Sequence, residues 1–218
     1  MDRIRNIRFY RCLSKIFNLL FPIRGKGNRI VKRGSFNNAK IKIKGNNNII
    51  SFGNGTIVYD IPITLRGNNC VLEIQDGVKI LNRHRMCDIL CEGNNVHIII
   101  GKNTTIQSAH INAQEDNSEI VIGENCMFSE DIIIRTSDSH SILDNETGMR
   151  INVAKSVHIG NHVWIAARAC ILKGVSIGDN SIVGVGSIVT RNVPNNVIVA
   201  GNPATIKKEN INWNSKLL

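Results

Sequence analysis

An aliphatic residue recurs at every sixth position between residues 159 and 189. The positions are Ile159, Ile165, Ile171, Ile177, Val183 and Val189. A helix repeats near 3.6 residues and a strand near 2, so neither produces a period of six. A six-residue period is typical of a parallel β-helix, in which each repeat contributes one short strand and one corner. The pattern therefore predicts an all-β solenoid whose aliphatic side chains point to its axis.

The same period predicts which residues are vertical neighbours. Three repeats close one triangular coil, so residues 18 positions apart are expected to stack at about the 4.8 Å spacing of neighbouring strands. Ile159 should then lie beside Ile177, and the next two repeats should pair residue 165 with 183 and residue 171 with 189.

A looser repeat precedes the regular one. Gly-Asn-Asn occurs at residues 45–47, 67–69 and 93–95, and each copy is flanked by alternating aliphatic residues. Glycine and asparagine tolerate left-handed backbone angles, which a repeated corner requires. Only 5% of the residues are aromatic, a composition that favours a core of stacked Ile and Val side chains. We expect irregular coils first and regular coils toward the C-terminal end.

Positive charge is concentrated near the N-terminus. Residues 1–44 contain 13 Lys or Arg against one acidic residue, Asp2, although the whole chain has a net charge of only +10. Residues 3–21 also place apolar side chains close to one helical face. Two interpretations remain open: this helix caps the solenoid, or residues 1–24 contact an anionic membrane surface. No nucleic-acid-binding motif is present, so we expect no nucleic acid partner.

The six cysteines do not have the paired spacing of a zinc site, so no metal is expected. Their use as small apolar residues is typical of a reduced compartment. We therefore expect a cytoplasmic protein, with the inner face of the membrane as a peripheral location if the N-terminal segment binds lipid.

The six-residue period is interrupted once by a long polar stretch. Residues 132–140 carry a strand into this break, and residues 141–152 follow no period of six. A loop on a rigid scaffold is a common place for binding and catalysis. The break is therefore a candidate functional loop, and His140 at its start is, from its position alone, either a functional residue or an ordinary surface histidine.

Three motifs in the C-terminal half carry a resemblance to a known family. They are Val-Trp-Ile at residues 163–165, Gly-Ser-Ile-Val-Thr at 186–190 and Gly-Asn-Pro-Ala at 201–204. In this order they resemble the hexapeptide-repeat acetyltransferases, in particular those that acetylate sugars and polysaccharides. The resemblance implies a left-handed β-helix over residues 31–204, between an N-terminal segment (1–30) and a basic tail (205–218). It also implies a homotrimer that binds acetyl-CoA between neighbouring solenoids.

The resemblance further implies roles for individual residues. His140 matches the family's general base, a task that suits an imidazole near neutral pH. Trp164 matches the tryptophan that lines the reaction site and the pantetheine arm. Asp138, two residues before His140, would share its face if the strand continues and could then orient the His140 ring, an expectation that rests on spacing and not on the resemblance. The remaining positions expected to contact acetyl-CoA are Ala167, Val185, Thr190, Arg191 and Lys208.

The leading hypothesis is an acetyl-CoA-dependent O-acetyltransferase that acts on a surface polysaccharide or its precursor. An N-acyltransferase acting on an amino sugar nucleotide is an alternative that uses the same base and donor. A γ-type carbonic anhydrase needs a zinc-binding histidine triad, and His140, His158 and His162 do not match that pattern. A non-catalytic solenoid is the last alternative.

Overall fold

A computed structural model describes residues 23–33, 35–37, 39–82 and 87–217 of the chain, and this part contains strands, turns and bends but no helix. The strands are β1 (Ile23–Arg24), β2 (Arg29–Lys32), β3 (Ser35–Asn37), β4 (Lys40–Lys44), β5 (Ile49–Phe52), β6 (Ile57–Tyr59), β7 (Pro62–Arg66), β8 (Val71–Ile74), β9 (Lys79–Ile80), β10 (Asp88–Glu92), β11 (His97–Ile100), β12 (Thr105–Ile106), β13 (Ala109–Gln114), β14 (Glu119–Ile122), β15 (Met127–Phe128), β16 (Ile132–Arg135), β17 (Val157–Ile159), β18 (Trp164–Ile165), β19 (Cys170–Ile171), β20 (Ser176–Ile177), β21 (Ile182–Val183), β22 (Ile188–Val189), β23 (Ile198–Gly201) and β24 (Ala204–Lys208).

Successive strands belong to three different sheets, as the six-residue period predicts. Sheet 1 contains eight strands in the order β1-β4-β7-β10-β13-β16-β19-β22, and sheet 2 contains seven in the order β2-β5-β8-β11-β14-β17-β20. Sheet 3 contains nine, from β3 and β6 through β21 to β23 and β24. All pairs are parallel except β23 with β24. The chain is therefore a parallel β-solenoid of about seven turns, and the predicted solenoid is confirmed.

The register of the regular coils agrees with the prediction made from the period. Ile159 pairs with Ile177, residue 165 with 183 and residue 171 with 189. All six aliphatic residues of the period are at most 3% exposed. Each coil stacks the same kind of side chain on the coil before it, which gives one continuous apolar core. Phe52 and Phe128 are the largest of the fully buried side chains.

The Gly-Asn-Asn motifs form stacked corners between sheets 1 and 2. Gly67 has a φ of +140°, and a Cβ at this position would lie 1.8 Å from the carbonyl oxygen of Gly93. Only glycine permits both this angle and this approach of successive coils. The amide of Asn68 donates to Asn94 Oδ1 at 2.9 Å, and Asn46 donates to Asn68 Oδ1 at 3.1 Å. These side-chain ladders satisfy polar groups at the corner.

The two terminal segments differ from the central coils. The helix expected over residues 3–21 lies outside the described residues. Within the predicted N-terminal segment 1–30, Ile23 and Arg29 already begin strands of the solenoid. At the other end, part of the predicted tail continues β24, which pairs with β23. Among the described residues, no helix is long and apolar enough to cross a membrane.

Candidate active site

His140 lies where the chain leaves sheet 1 after β16. Thr136 and Ser137 are buried there, and the chain becomes exposed from Asp138 onward. The His140 side chain borders a cleft of about 290 Å³. The other side chains that shape this cleft are polar: Glu92, Gln114, Glu115, Ser137, Ser139, Ser141 and Arg150. The predicted candidate is thus an exposed imidazole at the edge of a polar cleft.

The loop after His140 is an ordered arm. Leu143 and Arg150 form an antiparallel bridge, and the Ile151 amide donates to the Ile142 carbonyl at 2.9 Å. At the tip, Asp144 Oδ1 accepts from the Thr147 amide at 2.8 Å. These hydrogen bonds close residues 142–151 into a hairpin-like arm that projects from the solenoid.

Asn152 ties the two ends of this arm together. Its side chain is buried, with 8% exposure, and its amide donates to the His140 carbonyl and to Asp138 Oδ2, both at 2.8 Å. Its own Oδ1 accepts from the Ile142 amide at 2.8 Å. One buried amide therefore fixes the backbone on both sides of His140.

Asp138 is held by a cation from the next coil. Lys173 Nζ lies 2.5 Å from Asp138 Oδ2 and 2.8 Å from the Asn152 carbonyl oxygen. Hydrogen bonds from Lys173 and Asn152 lower the pKa of Asp138 below its ordinary value. The carboxylate contacts these two side chains, and none of the described hydrogen bonds joins it to the His140 ring. Its predicted role in orienting the ring remains a prediction; the observed connection to His140 runs through Asn152 and the backbone.

A second ion pair, between Arg150 and Glu115, joins the arm to the preceding coil. Arg150 donates to both carboxylate oxygens of Glu115, at 2.6 and 2.7 Å, and Ser137 Oγ donates to the same carboxylate at 2.5 Å. The Arg150 contact, assisted by Ser137, lowers the pKa of Glu115 to about 2. A planar guanidinium matches a carboxylate bidentately, so this pair fixes direction as well as distance.

The residues expected to contact acetyl-CoA lie outside the His140 cleft. Ala167 and Val185 lie on consecutive coils at the corner between sheets 3 and 1, where the Gly186 amide donates to the Ala167 carbonyl at 2.9 Å. Thr190 and Arg191 follow β22 and are exposed, at the corner that also carries His140. This set therefore lies along two corners and does not line the His140 cleft.

Trp164 and Lys208 belong to sheet 3. Trp164 begins β18, and Lys208 ends β24. Trp213, in the C-terminal tail, packs against Trp164 with ring centroids 6.0 Å apart. It also stacks on His162 at 4.1 Å, and its indole nitrogen donates to the His162 carbonyl at 2.7 Å. The C-terminal tail therefore packs against one side of Trp164.

Comparison with known proteins identifies the family. Residues 156–191 match the family model described as bacterial transferase hexapeptide (six repeats). The crystal structure of the polysialic acid O-acetyltransferase OatWY superposes with a TM-score of 0.81 at 34% identity, over 89% of this chain and 91% of that one. The chain belongs to the hexapeptide-repeat acetyltransferases.

Two curated relatives have similar names. A polysialic acid O-acetyltransferase of Escherichia coli O1:K1 / APEC is 40% identical over 116 residues, which are 53% of this chain and 38% of the relative. A polysialic acid O-acetyltransferase of Neisseria meningitidis is 36% identical over 138 residues, 63% of this chain and 61% of the relative. The matched segments thus span less than two thirds of either curated relative.

Several residues of the candidate site were not predicted from the sequence. Asn152, Lys173, Glu115 and Arg150 belong to no motif, and the Lys173–Asp138 and Arg150–Glu115 contacts join different coils. Trp213 lies in a tail whose sequence shows no period. The one available signal was the position of Asn152 at the end of the stretch without a six-residue period. Among the described residues, no group of three metal-binding side chains is present.

Proposed function

We propose that this chain transfers the acetyl group of acetyl-CoA to a sugar hydroxyl of a surface polysaccharide or its precursor, with His140 as general base. The observation that carries the proposal is the presentation of an exposed imidazole at the edge of a polar cleft by an arm with both ends fixed. Family membership and the names of the relatives, which act on polysialic acid, support a sugar acceptor.

In the proposed reaction, His140 removes a proton from the acceptor and then gives that proton to the leaving group. A nitrogen of neutral His140 accepts the proton of the acceptor hydroxyl while that oxygen attacks the thioester carbonyl carbon of the donor. The carbon–sulfur bond of the thioester then breaks, and the proton held on the imidazole passes to the departing thiolate sulfur. A positioned base of this kind typically contributes about 10²–10⁴-fold to the rate. The Asn152 contacts keep the His140 backbone in place during both steps.

The exposed residues beyond the cleft suit the donor substrate. Arg191 and Lys208 are exposed and have no ion-pair partner within the part of the chain that the structure describes, so both are free to contact phosphates. In our proposal, Trp164, Ala167 and Val185 contact the pantetheine arm of acetyl-CoA. Thr190 contacts the same arm near the phosphates. Acetyl-CoA supplies the activated acetyl group.

The separation of these residues supports a homotrimer. His140 lies at the corner between sheets 1 and 2, whereas Trp164 lies on sheet 3 and Ala167 at the next corner. A groove that contains all three requires a second copy of the chain. The arm and the residue just beyond Asn152 also expose large apolar side chains, which a neighbouring copy would cover: Ile142, Leu143, Met149 and Ile151 on the arm, and Val153 after it. A left-handed coil, which the family resemblance implies, is part of the same proposal.

The base is tested with His140→Ala and a matched control, His158→Ala. His158 is exposed on sheet 2 and contacts Glu119, away from the cleft. We expect His140→Ala to bind CoA normally by calorimetry and to lose at least about 100-fold in acetyl transfer, measured as CoA released with a competent acceptor. The control should retain wild-type transfer. Near-normal turnover of His140→Ala would refute His140 as the base.

An N-acyltransferase with the same base and donor is the alternative activity. It is separated from the first proposal by the bond formed, because an amide product survives mild alkali that cleaves an ester. Mass spectrometry of the acetylated product before and after such treatment distinguishes the two. A non-catalytic solenoid predicts no transfer to any acceptor.

We further propose that the protein is cytoplasmic and that its residues 1–24 contact the inner face of the membrane. The segment contains six basic residues and one acidic residue, and attraction of a basic segment to anionic lipid weakens as salt shortens the Debye length. We expect the full chain to bind anionic vesicles at low salt and to dissociate at high salt, and a chain lacking residues 1–24 to lose binding but keep acetyl transfer to a soluble acceptor. Unfolding or aggregation of the shortened chain would favour the capping role instead.

A further inference from the structure

Four exposed cations are grouped on the N-terminal half of sheet 1. Arg24 pairs in register with Lys44, and Lys44 pairs in register with Arg66, so the three stack on neighbouring strands. Lys42 lies on the same outer face, two residues before Lys44, and the four side chains border a shallow groove of about 260 Å³. We call these four residues the basic column.

Stability alone does not account for the basic column. Strands in a sheet are about 4.8 Å apart, and like charges at that distance on one face repel. Arg66 has a partner in Glu92, at 3.1 Å. Within the residues that the structure describes, no carboxylate forms an ion pair with Arg24, Lys42 or Lys44. Elsewhere in this solenoid, stacked polar positions are complementary, as in the Asn68–Asn94 ladder.

The basic column lies on the same edge of the solenoid as the His140 cleft. Glu92, the partner of Arg66, accepts from Gln114 Nε2 at 2.9 Å. Gln114 Oε1 in turn accepts from Ser139 Oγ at 3.1 Å, next to His140. An unbroken line of polar contacts therefore leads from the column into the cleft. Arg24 lies four strand spacings, or about 19 Å, from the strand that carries Gln114.

Two of the residues proposed to contact acetyl-CoA lie along this edge on the opposite side of His140. Thr190 and Arg191 follow β22, which is two strands beyond β16 in sheet 1. The basic column occupies β1, β4 and β7, on the other side of β16. His140 thus lies between the residues proposed for the donor and a set of cations with no assigned task.

We propose that the basic column binds carboxylates of an acidic polysaccharide acceptor and extends the His140 cleft into a track along the solenoid. This inference rests on the proposed acetyl transfer to a sugar and specifies the acceptor as a linear polymer that carries a carboxylate on its sugars. Exposed ion contacts are individually weak. Several held at once by a single chain reinforce one another, because each later contact is intramolecular. A single sugar in the cleft does not reach the column.

The chain itself does not supply a suitable anionic partner from its N-terminus. Residues 1–22 contain Arg3, Arg5, Arg8, Arg11 and Lys15 against Asp2 alone, so their charge has the same sign as the column. An anionic membrane is the other large anionic surface. We favour the polymer because the column continues into the cleft where the acceptor reacts.

Binding is tested by charge reversal in the column, Lys42→Glu/Lys44→Glu. The matched control is Lys79→Glu/Lys102→Glu, which changes the net charge equally at two exposed lysines on sheet 3 and its adjoining corner. The probe is fluorescein-labelled polysialic acid, with the carboxyl-reduced polymer as its uncharged counterpart, and anisotropy gives the Kd. We expect the column variant to raise the Kd for polysialic acid by at least about tenfold, and the control to leave it within about twofold.

The uncharged polymer and salt provide further comparisons. All three proteins should bind carboxyl-reduced polymer equally weakly, and wild-type binding of polysialic acid should fall as salt rises. Equal losses in column and control variants, or tight binding of the uncharged polymer, would overturn the proposal. So would a column variant that loses anionic-vesicle binding but keeps polymer binding. If charge reversal prevents folding, Lys42→Gln/Lys44→Gln should still weaken polymer binding, and an unchanged Kd would be decisive against the column.

Acetyl transfer separates failure of the track from failure of the proposed function. With polysialic acid, the column variant should show a raised KM and an unchanged kcat; with monomeric sialic acid as acceptor, it should match wild type. Transfer by wild type with no dependence on acceptor charge or length would refute the track alone. If wild type acetylates no acceptor, the proposed function fails, and the anisotropy comparison still decides whether the column binds an acidic polymer.

Discussion

At the scale of single residues, the site depends on one buried amide. Asn152 makes three hydrogen bonds at 2.8 Å, to the His140 carbonyl, Asp138 and the Ile142 amide. A buried polar group that loses its partner costs about 1–3 kcal/mol. Removal of the Asn152 side chain would break all three hydrogen bonds at the base of the arm, although Asp138 would keep its contact with Lys173. His140 itself makes few contacts, so its position is set by its backbone.

Asn152→Ala should therefore impair the reaction more than the fold. We expect kcat to fall by about tenfold or more, because a small misplacement of a catalytic group can cost up to about 100-fold, while the KM for acetyl-CoA stays near its wild-type value. The control is Asn145→Ala, at an exposed position of the same arm. Steady-state kinetics and thermal unfolding of both variants check this. A kcat close to wild type in Asn152→Ala would show that Asn152 does not position His140.

At the scale of the element, each coil is constrained most strongly at its corners. Successive coils approach most closely at Gly25, Gly45 and Gly67, where positive φ angles coincide with a distance of 1.8 Å from an added Cβ to the carbonyl oxygen of the next coil. The strands between these corners tolerate variation in their outward residues because those side chains face solvent. The corner glycines have no such freedom, since both the angle and the space exclude a side chain.

Two glycine substitutions separate these contributions. Gly67→Ala places a Cβ 1.8 Å from the Gly93 carbonyl oxygen, whereas a Cβ at Gly55, with a φ of +66°, meets nothing within 4 Å. We expect Gly55→Ala to lower the free energy of unfolding by about 1 kcal/mol, for the strained angle alone. Gly67→Ala should cost about 3 kcal/mol or more, since backbone must also move. Urea unfolding of each variant measures this, and equal losses would contradict the close approach of these coils.

At the scale of the whole molecule, one solenoid presents the parts of the proposed site on different edges. The arm with His140 leaves the corner between sheets 1 and 2, and Trp164 lies on sheet 3. Ile142 and Ile151 on the arm are 54% and 64% exposed. Exposed apolar groups of this kind usually mark an interface. Both observations are explained if each arm reaches a neighbouring copy.

We therefore expect the purified chain to sediment as a trimer of 24.2 kDa protomers. Ile142→Glu/Ile151→Glu should shift it toward the monomer and lower acetyl transfer, because a buried unpaired charge is costly at an interface. Ile57→Glu is the matched control, at a residue that is 44% exposed on sheet 3, and it should leave the assembly intact. A wild-type monomer that binds CoA tightly would contradict the shared groove.

The sequence by itself determined the architecture and the register of the regular coils. A six-residue period repeats one local geometry, so Ile159 stacks on Ile177 without any long-range information. The break in that period also indicated the loop after residue 140, because a loop that leaves a solenoid is visible as lost periodicity, and the family resemblance then indicated His140. The family motifs then indicated the hexapeptide-repeat acetyltransferases.

Only the tertiary structure decided which residues meet around His140. Lys173 and Asp138 are 35 positions apart, as are Arg150 and Glu115, and the long arm between coils removes any fixed spacing from which these pairs could be read. The early coils also differ in length: in-register contacts there join residues 20, 22 and 26 positions apart. The stacking of Arg24, Lys44 and Arg66 depends on those unequal lengths, because a shift of one residue would turn each side chain to the opposite face of the sheet.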